Sequence, residues 1–446
     1  MIVFYLLISL MPMDQDPFWG TFLGAATLIK YLGLVCIVYA MFHLLVRRTM
    51  PRYFGTMQAR LFLLFFLLSS ASYWFWGPRF SLRASAFISY LSMVFLFFVV
   101  LTIIDNLARL RWTLLTIIGA MGFTSLVVFR EWMKDPLWRP GSIAGDANYF
   151  ALSLCLIFPA ALLIVLRSRV LWERIFVLGC MIAMIVANTL GASRGGLFGL
   201  AAAFLWLIWH SPRRLRNCIV IAILVIPPLV LYPDSPVRRL INPKPGDLNG
   251  EQARLIAWKA GLRMIQQHPL AGVGLGEFKP EMLNYTDNRN VAATIGHNTY
   301  IEVAAETGLF NLFVFAALLF FTYRSLSRVR RQTETGPPLV HLAALGAQAG
   351  LVGCFVGIFF LSAEYQKVFW LWVFLSMVLP ALVTAPAEGQ RKAGVYVLPH
   401  WQTGAAASAP ERAGRAPLAI PGAASYRVSP RRPPRLARHP GAVRKS

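Results

Sequence analysis

The sequence predicts an all-α fold, a polytopic membrane helix bundle of about twelve transmembrane helices with one long hydrophilic loop. Three observations predict it. The 446 residues are 57% hydrophobic, with a mean hydropathy of +0.58, too apolar for an ordinary water-soluble domain. The apolar residues gather into runs close to the roughly 17–25 needed to cross a bilayer. Basic residues, finally, concentrate in every second connection between those runs.

Taken in order, the first run, 2–11, is too short by itself to cross about 30 Å at 1.5 Å per residue. It reads as an uncleaved part of a first span rather than a signal peptide. Further spans are expected at 21–46, 61–76, 83–104, 112–129, 147–166, 175–191, 195–210, 218–232, 309–323, 339–361 and 368–383. Several are short and need their flanks or local thinning of the bilayer. Arg47, Arg48, Arg52 and Arg60 share one connection, and Arg109 and Arg111 the next but one. Arg167, Arg169 and Arg174, then Arg213, Arg214 and Arg216, then Arg324, Arg328, Arg330 and Arg331 continue the alternation. This is the positive-inside pattern. It puts both termini in the cytoplasm and 77–82, 130–146, the Ser193-Arg194 turn and 233–308 outside. The formal charge of +24 therefore reflects topology, and nucleic acid is not needed to explain it.

The bundle occupies 1–385, including the loop 233–308. The stretch 386–446 is rich in Pro, Ala, Gly and Arg and is expected to be a disordered cytoplasmic tail. Its eleven basic residues suit anionic lipid of the inner leaflet. All five cysteines lie in apolar segments without CxxC spacing, as packing residues do.

The loop 233–308 is too long for a simple connector. It holds eight basic and eight acidic residues, so it is not a bulk electrostatic funnel. After a Pro-rich entry, 251–267 reads as an amphipathic helix stopped by Pro269. Its expected apolar face is Leu255, Trp258, Leu262 and Ile265. Arg254 lies about 40° from Trp258 and about 20° from Ile265 on a helical wheel, so it is expected to point inward. Gly272-Val273-Gly274-Leu275-Gly276 reads as a flexible turn; with no strand before it, it is no dinucleotide fingerprint. A second short helix is expected from about His297 or Asn298 through Glu302 and Glu306 to Gly308.

Few side chains here suit chemistry. Arg194 sits in a tight break between two spans, where an arginine is costly and usually partnered. It is either a snorkelling helix-end residue or an anion clamp, since guanidinium offers planar donors matched to phosphate. Gly191, Gly195 and Gly196 would let a ligand approach the backbone there. Asp146 and Asn148 start a span on the same side, as a helix cap or as a contact to a sugar or the arginines. His268, before Pro269, reads as structural. His297, where the polar loop meets the bilayer, is either a cap or a proton acceptor near neutral pH, with Glu302 or Glu306 able to orient it. No HxxxH, outside Asp-x-Asp or Cys ligation pattern suggests a metal, and no cofactor is implied.

Taken together, several ordered motifs resemble the O-antigen ligase/polymerase superfamily of bacterial envelope glycosyltransferases. They are Gly145-Asp146-Ala147-Asn148, Ser193-Arg194-Gly195-Gly196, Arg254-Leu255-Ile256-Ala257-Trp258, His268-Pro269-Leu270-Ala271-Gly272-Val273-Gly274, and His297-Asn298-Thr299-Tyr300 through Glu306-Thr307-Gly308. The resemblance implies metal-independent, inverting transfer of a glycan from undecaprenyl diphosphate on the periplasmic face of the bacterial inner membrane. It implies that Arg194 and Arg254 hold the diphosphate and that His297 is the general base. Asp146, Asn148, Asn298, Tyr300 and Glu306 would support them. The acceptor would be lipid A–core for a ligase, or a second lipid-linked glycan for a polymerase; the reading adopted is ligase. A small-solute transporter is the competing class. It should carry polar groups near mid-span, whereas here they gather at the outer edge, Lys30 and Glu364 excepted.

Overall fold

The computed structural model describes residues 1–13, 25–47, 55–76, 83–135, 147–211, 214–233, 235–242, 245–287, 291–334, 336 and 338–383. Asp146 and the tail 386–446 lie outside them. No β-strand occurs among the described residues. The chain begins with α1 (Ile2–Leu10), followed by a 3-10 turn, Met11–Met13. Then come α2 (Ala25–Arg47), α3 (Met57–Phe75), α4 (Arg83–Ile103), α5 (Leu107–Lys134), α6 (Ala147–Arg167), α7 (Leu171–Gly191), α8 (Arg194–Trp209) and α9 (Arg214–Leu231). The loop contributes α10 (Pro236–Ile241), α11 (Pro245–Gln267), α12 (Phe278–Glu281), a 3-10 turn Met282–Tyr285, and α13 (Thr299–Thr307). The bundle closes with α14 (Leu309–Gln332), α15 (Pro338–Gly357) and α16 (Lys367–Val383).

Each expected span has a helix at its place among the described residues, although the span expected over 339–361 is helical only to Gly357. Among the described residues seven helices are long and apolar enough to cross a membrane: those within α2, α4, α5, α6, α7, α14 and α15. The helices at 2–13, 194–209 and 367–383 are apolar but shorter. Side-chain caps mark several starts. The Thr56 hydroxyl accepts from Ala59 N at 3.3 Å, and Asn106 Oδ1 accepts from Arg109 N at 3.0 Å. Each satisfies one of the orphan N–H groups that begin a helix.

The core is built on α6, α8 and α15. The apolar windows of α6 and α15 are 83% buried and that of α2 only 17%, so α2 is peripheral and α6 and α15 central. Small residues bring the central helices together, as in other membrane bundles. A Cβ on Gly353 would lie 2.6 Å from Gly199 O, and one on Gly199 would lie 2.8 Å from Gly353 O. Elsewhere in the bundle Phe62, Phe65, Phe97, Trp370 and Phe374 of α3, α4 and α16 interlock, with ring centroids 4.7 Å apart for Phe62–Phe374 and 5.6 Å for Phe65–Trp370.

The two ends of the bundle differ chemically. At one end Arg111 and Ser168 both bond the fully buried Glu173 carboxylate, at 2.6 and 2.7 Å. There too Arg330 lies over the Trp206 ring at 5.5 Å, and Arg214 over Trp209 at 5.4 Å. Because α8 runs from Arg194 to Trp209, and α14 from Leu309 to Gln332, Arg194 and the segment before Gly308 share the opposite end.

Candidate active site at the loop end of the bundle

Helix α7 stops at Ala192, whose φ of +49° turns the chain back, with its N–H bonded to Asn188 O and Thr189 O at 3.2 Å. Ser193 then caps α8: its hydroxyl accepts from Gly196 N at 3.1 Å and donates to Asn148 Oδ1 at 2.8 Å. Asn148 thus secures the turn that presents Arg194. Gly195 and Gly196 do not open this turn to a ligand, contrary to the sequence expectation. A Cβ on Gly196 would strike Ala151, and one on Gly195 would lie 2.9 Å from Phe360 Cβ. Their smallness serves helix packing. From above, Arg239 of α10 donates to Ala192 O at 3.3 Å.

Arg194, the first residue of α8, has a side chain 22% exposed and forms an ion pair with Glu251 of α11, 47% exposed. Arg254 lies three residues and Trp258 seven residues after Glu251, a spacing that puts all three on one flank of α11. Arg254 is half-buried. Trp258 Nε1 donates to Gly296 O at 2.8 Å, immediately before His297. One stripe of α11 therefore runs from Arg194 to the main chain beside His297.

The buried face of α11 is not the expected one. Ala257, Ala260 and Met264 are fully buried, whereas Leu255 is 54% and Leu262 50% exposed. The loop has its own small core, in which Ala257, Ala260 and Met264 meet Val273, Phe278, Met282 and Ala305. Close approach decides the face: a Cβ on Gly261 would lie 2.5 Å from Ile301 and 2.8 Å from Phe278, so only small residues fit there. Leu255 and Leu262 fall on the Trp258 side. An aromatic line continues from them: Trp258–Phe359, Phe359–Phe360 and Phe360–Phe198 have centroids 5.4, 5.2 and 6.0 Å apart. Phe359 is 45% and Phe198 44% exposed. The arginine flank thus borders an exposed apolar ledge.

His297 is half-buried with φ +46°, in the left-handed region that side chains other than Gly rarely adopt. After it, Asn298 caps α13, Oδ1 accepting from Tyr300 N at 3.0 Å and Ile301 N at 3.1 Å. Tyr300 OH donates to Phe355 O at 3.1 Å, joining α13 to α15. Thr299 N reaches Ile358 O and Leu361 O at 3.0 and 2.9 Å, and Ala363 N donates to Thr299 Oγ1 at 2.8 Å. The non-helical segment 358–366 is thus a wall of the site. The span expected to 361 stops at Gly357 instead, and the sequence does not mark the stop, because Ile358, Phe359 and Phe360 extend the apolar run without a break.

Three carboxyls, Glu302 and Glu306 of α13 and Glu364 of the segment 358–366, are buried, at 2%, 3% and 0% exposure. Glu302 takes the hydroxyl of Ser362 and the N–H of Gly296. Glu306 accepts from Tyr365 OH at 2.7 Å and Phe278 N at 3.3 Å. Burial, and then their mutual repulsion, raises Glu302 and Glu364 above the usual carboxylate range, and burial raises Glu306. The glycine-rich turn is not flexible, as expected from sequence, but pinned. Val273 N donates to Ala305 O at 2.8 Å and Gly274 N to Glu306 O at 3.0 Å, while Trp76 Nε1 donates to Gly272 O at 2.9 Å. His268 Nε2 lies 2.9 Å from Tyr285 OH, in keeping with a structural role.

The arrangement combines fixed cations at an apolar ledge with an imidazole on a braced backbone. The first suits an anion carried by a lipid, and the second suits proton transfer. Residues 179–316, the stretch that contains Arg194, Arg254 and His297, match the family model described as O-antigen ligase. No curated protein matches the chain.

Proposed function

We propose, from the O-antigen ligase match at residues 179–316 that supports membership of the O-antigen ligase/polymerase superfamily, that this chain is a membrane glycosyltransferase. It transfers a glycan from undecaprenyl diphosphate to a hydroxyl of lipid A–core on the periplasmic face. The observation that carries this reading is the stripe Glu251–Arg254–Trp258 on α11, which ties Arg194 to the peptide next to His297.

Arg194 and Arg254 bind the donor diphosphate and stabilise the negative charge that builds up as it leaves. Leu255, Leu262, Phe198 and Phe359 lie under the polyprenyl chain. Neutral His297 takes the proton of the acceptor hydroxyl, whose oxygen attacks the anomeric carbon from the face opposite the diphosphate. The bond from that carbon to the diphosphate breaks, its electron pair leaves with the phosphate oxygen, and the configuration inverts. Asn148 and Asn298 support this by fixing the turns at Arg194 and His297, and Tyr300 and Glu306 by tying α13 to Phe355 and Tyr365; Asp146 lies outside the described residues, and its supporting role rests on the resemblance alone.

His297→Ala and Arg194→Ala should each reduce transfer to background in a deletion strain complemented with the variant, while the protein still inserts at wild-type level. Full activity in either removes the assignment. Transfer by purified protein should survive EDTA. The glycan pattern of the deletion strain separates the two acceptors. Bare core with accumulating lipid-linked chains supports a ligase; core bearing a single repeat supports a polymerase.

A further inference from the structure

We infer that Glu302 and Trp258 are positioning residues that hold the Gly296 main chain from two sides and thereby fix the backbone conformation of His297. The inference rests on the proposed role of His297 as the base and adds how that base is held.

The torsion φ of His297 is measured against the carbonyl carbon of Gly296, so whatever anchors that carbonyl sets the reference for the imidazole's direction. Trp258 anchors it, with Nε1 2.8 Å from Gly296 O, and is itself braced edge-on by Phe359 at 5.4 Å. The other side of Gly296 is anchored by Glu302, whose carboxyl accepts the Gly296 N–H. A Cβ at 296 would stand 3.3 Å from Glu302 Oε2 and 3.1 Å from Phe278 Cζ, so Gly296 has little room to shift. Glu302 is held in turn by the Ser362 hydroxyl. Beyond His297, Thr299 is locked to Ile358 O and Leu361 O. The peptide before His297 and the one after Asn298 are therefore both committed, and between them His297 adopts φ +46°, a conformation L residues keep only where the surroundings impose it.

Neither positioning residue needs to touch substrate. Glu302 lies one turn into α13 and is 2% exposed, and its bonds go to Gly296 and Ser362. Trp258 belongs to the Arg254 flank of α11, so the same helix sets the anion site and the aim of the base.

The test uses full-length protein in lipid nanodiscs and the lipid-linked glycan extracted from the deletion strain. Glu302→Ala and Trp258→Phe should lower kcat by about a hundredfold, the scale of a misaligned catalytic group, with the donor KM changed by less than about threefold. Glu302→Gln keeps an acceptor for Gly296 N–H and should restore most of the rate. A second measurement does not depend on catalysis: the rate at which diethyl pyrocarbonate modifies His297, read by peptide mass spectrometry against His268. It should change in Glu302→Ala and Trp258→Phe and return to the wild-type rate in Glu302→Gln. Wild-type kcat and labelling in Trp258→Phe and Glu302→Ala overturn the inference. So does lost activity with unchanged His297 labelling, which would mean a stabilising role alone. If Glu302→Ala does not fold, Trp258→Phe decides by the same two readings. Unimpaired transfer in His297→Ala would instead defeat the proposed function, and the labelling would still decide the positioning.

Discussion

If Arg194 is a diphosphate clamp, Glu251 is its competitor, and Glu251→Gln should improve donor binding. The Arg194 guanidinium is paired with the Glu251 carboxylate, which a diphosphate must displace. The side chains are 22% and 47% exposed, so solvent screens the pair and its worth falls in the range of about 0.2–1 kcal/mol. Removing the carboxylate charge while keeping its shape returns at most that much to the donor. At 1.4 kcal/mol per tenfold, this is at most about a fivefold fall in donor KM. Glu251 takes no part in bond-making, so kcat should not change. Folding should change by less than about 1 kcal/mol, because the pair lies at the surface. Arg194→Ala works in the opposite direction. It removes a charged hydrogen bond of about 1.5–3 kcal/mol, roughly ten- to a hundredfold in donor affinity, and its share of charge stabilisation in the reaction itself. The assay is initial transfer rate against donor concentration in nanodiscs at fixed acceptor. A raised donor KM or a lowered kcat in Glu251→Gln would refute the reasoning, because Glu251 would then be holding Arg194 in its working position.

Asn298→Ala should cost about 1–2 kcal/mol of stability through the lost cap of α13, with Asn298→Asp close to wild type, measured by thermal unfolding in detergent. Gly308→Ala should abolish folded, inserted protein, since φ there is +89° and an added Cβ would strike Leu270 O; normal expression and gel-filtration behaviour would contradict this. Glu302 and Glu306 are raised by burial, so the folded state binds their protons more tightly than the unfolded chain does. The stability they contribute is fully present below the unfolded carboxylate value, about 4.3, and is lost as pH rises through their raised values. The thermal midpoint should therefore fall as pH rises above about 5, and Glu302→Gln should flatten that fall.

Much of this architecture is written in the order of apolar runs, because a chain crossing lipid must satisfy its own backbone and does so with helices. The short helix that ends at Gly308 was legible in the sequence, but the residue offered there as its cap was His297, whereas Asn298 caps it. The face of α11 was not legible. A wheel weighted by large apolar residues selects Leu255 and Leu262, whereas the loop core selects Ala257, Ala260 and Gly261, which fit where Ile301 and Phe278 approach. Near a bilayer a large exposed leucine carries little penalty, so size no longer marks the interior. Gly195 and Gly196 were legible as a site of close approach, but the partners, Phe360 and Ala151, come from distant sequence. Glu251 carried no signal beyond its charge. The wall at 358–366 was hidden because polar Ser362, Glu364 and Tyr365 follow directly on an apolar run.

The separation between clamp and base depends on α11 behaving as a rigid ruler. Seven residues from Glu251 to Trp258 span about 10 Å at 1.5 Å per residue and bring the two almost onto one line, two turns apart. The contacts that hold α11 in the loop, Ala257, Ala260 and Met264, all lie after Arg254. Inserting one alanine between Arg254 and Leu255 should therefore leave that packing and the Trp258 bond in place. It should rotate Glu251 and Arg254 by about 100° away from Arg194. Such a variant should fold and keep the wild-type rate of His297 labelling while donor KM rises by tenfold or more, the loss of one charged contact. An insertion after Gln267 leaves the order of Glu251, Arg254 and Trp258 intact and serves as the comparison. Wild-type donor KM in the first insertion would mean that Arg254 does not reach the diphosphate. The pairing of Arg194 with α11 would then be a packing contact, and the two arginines would have to be assigned separate roles.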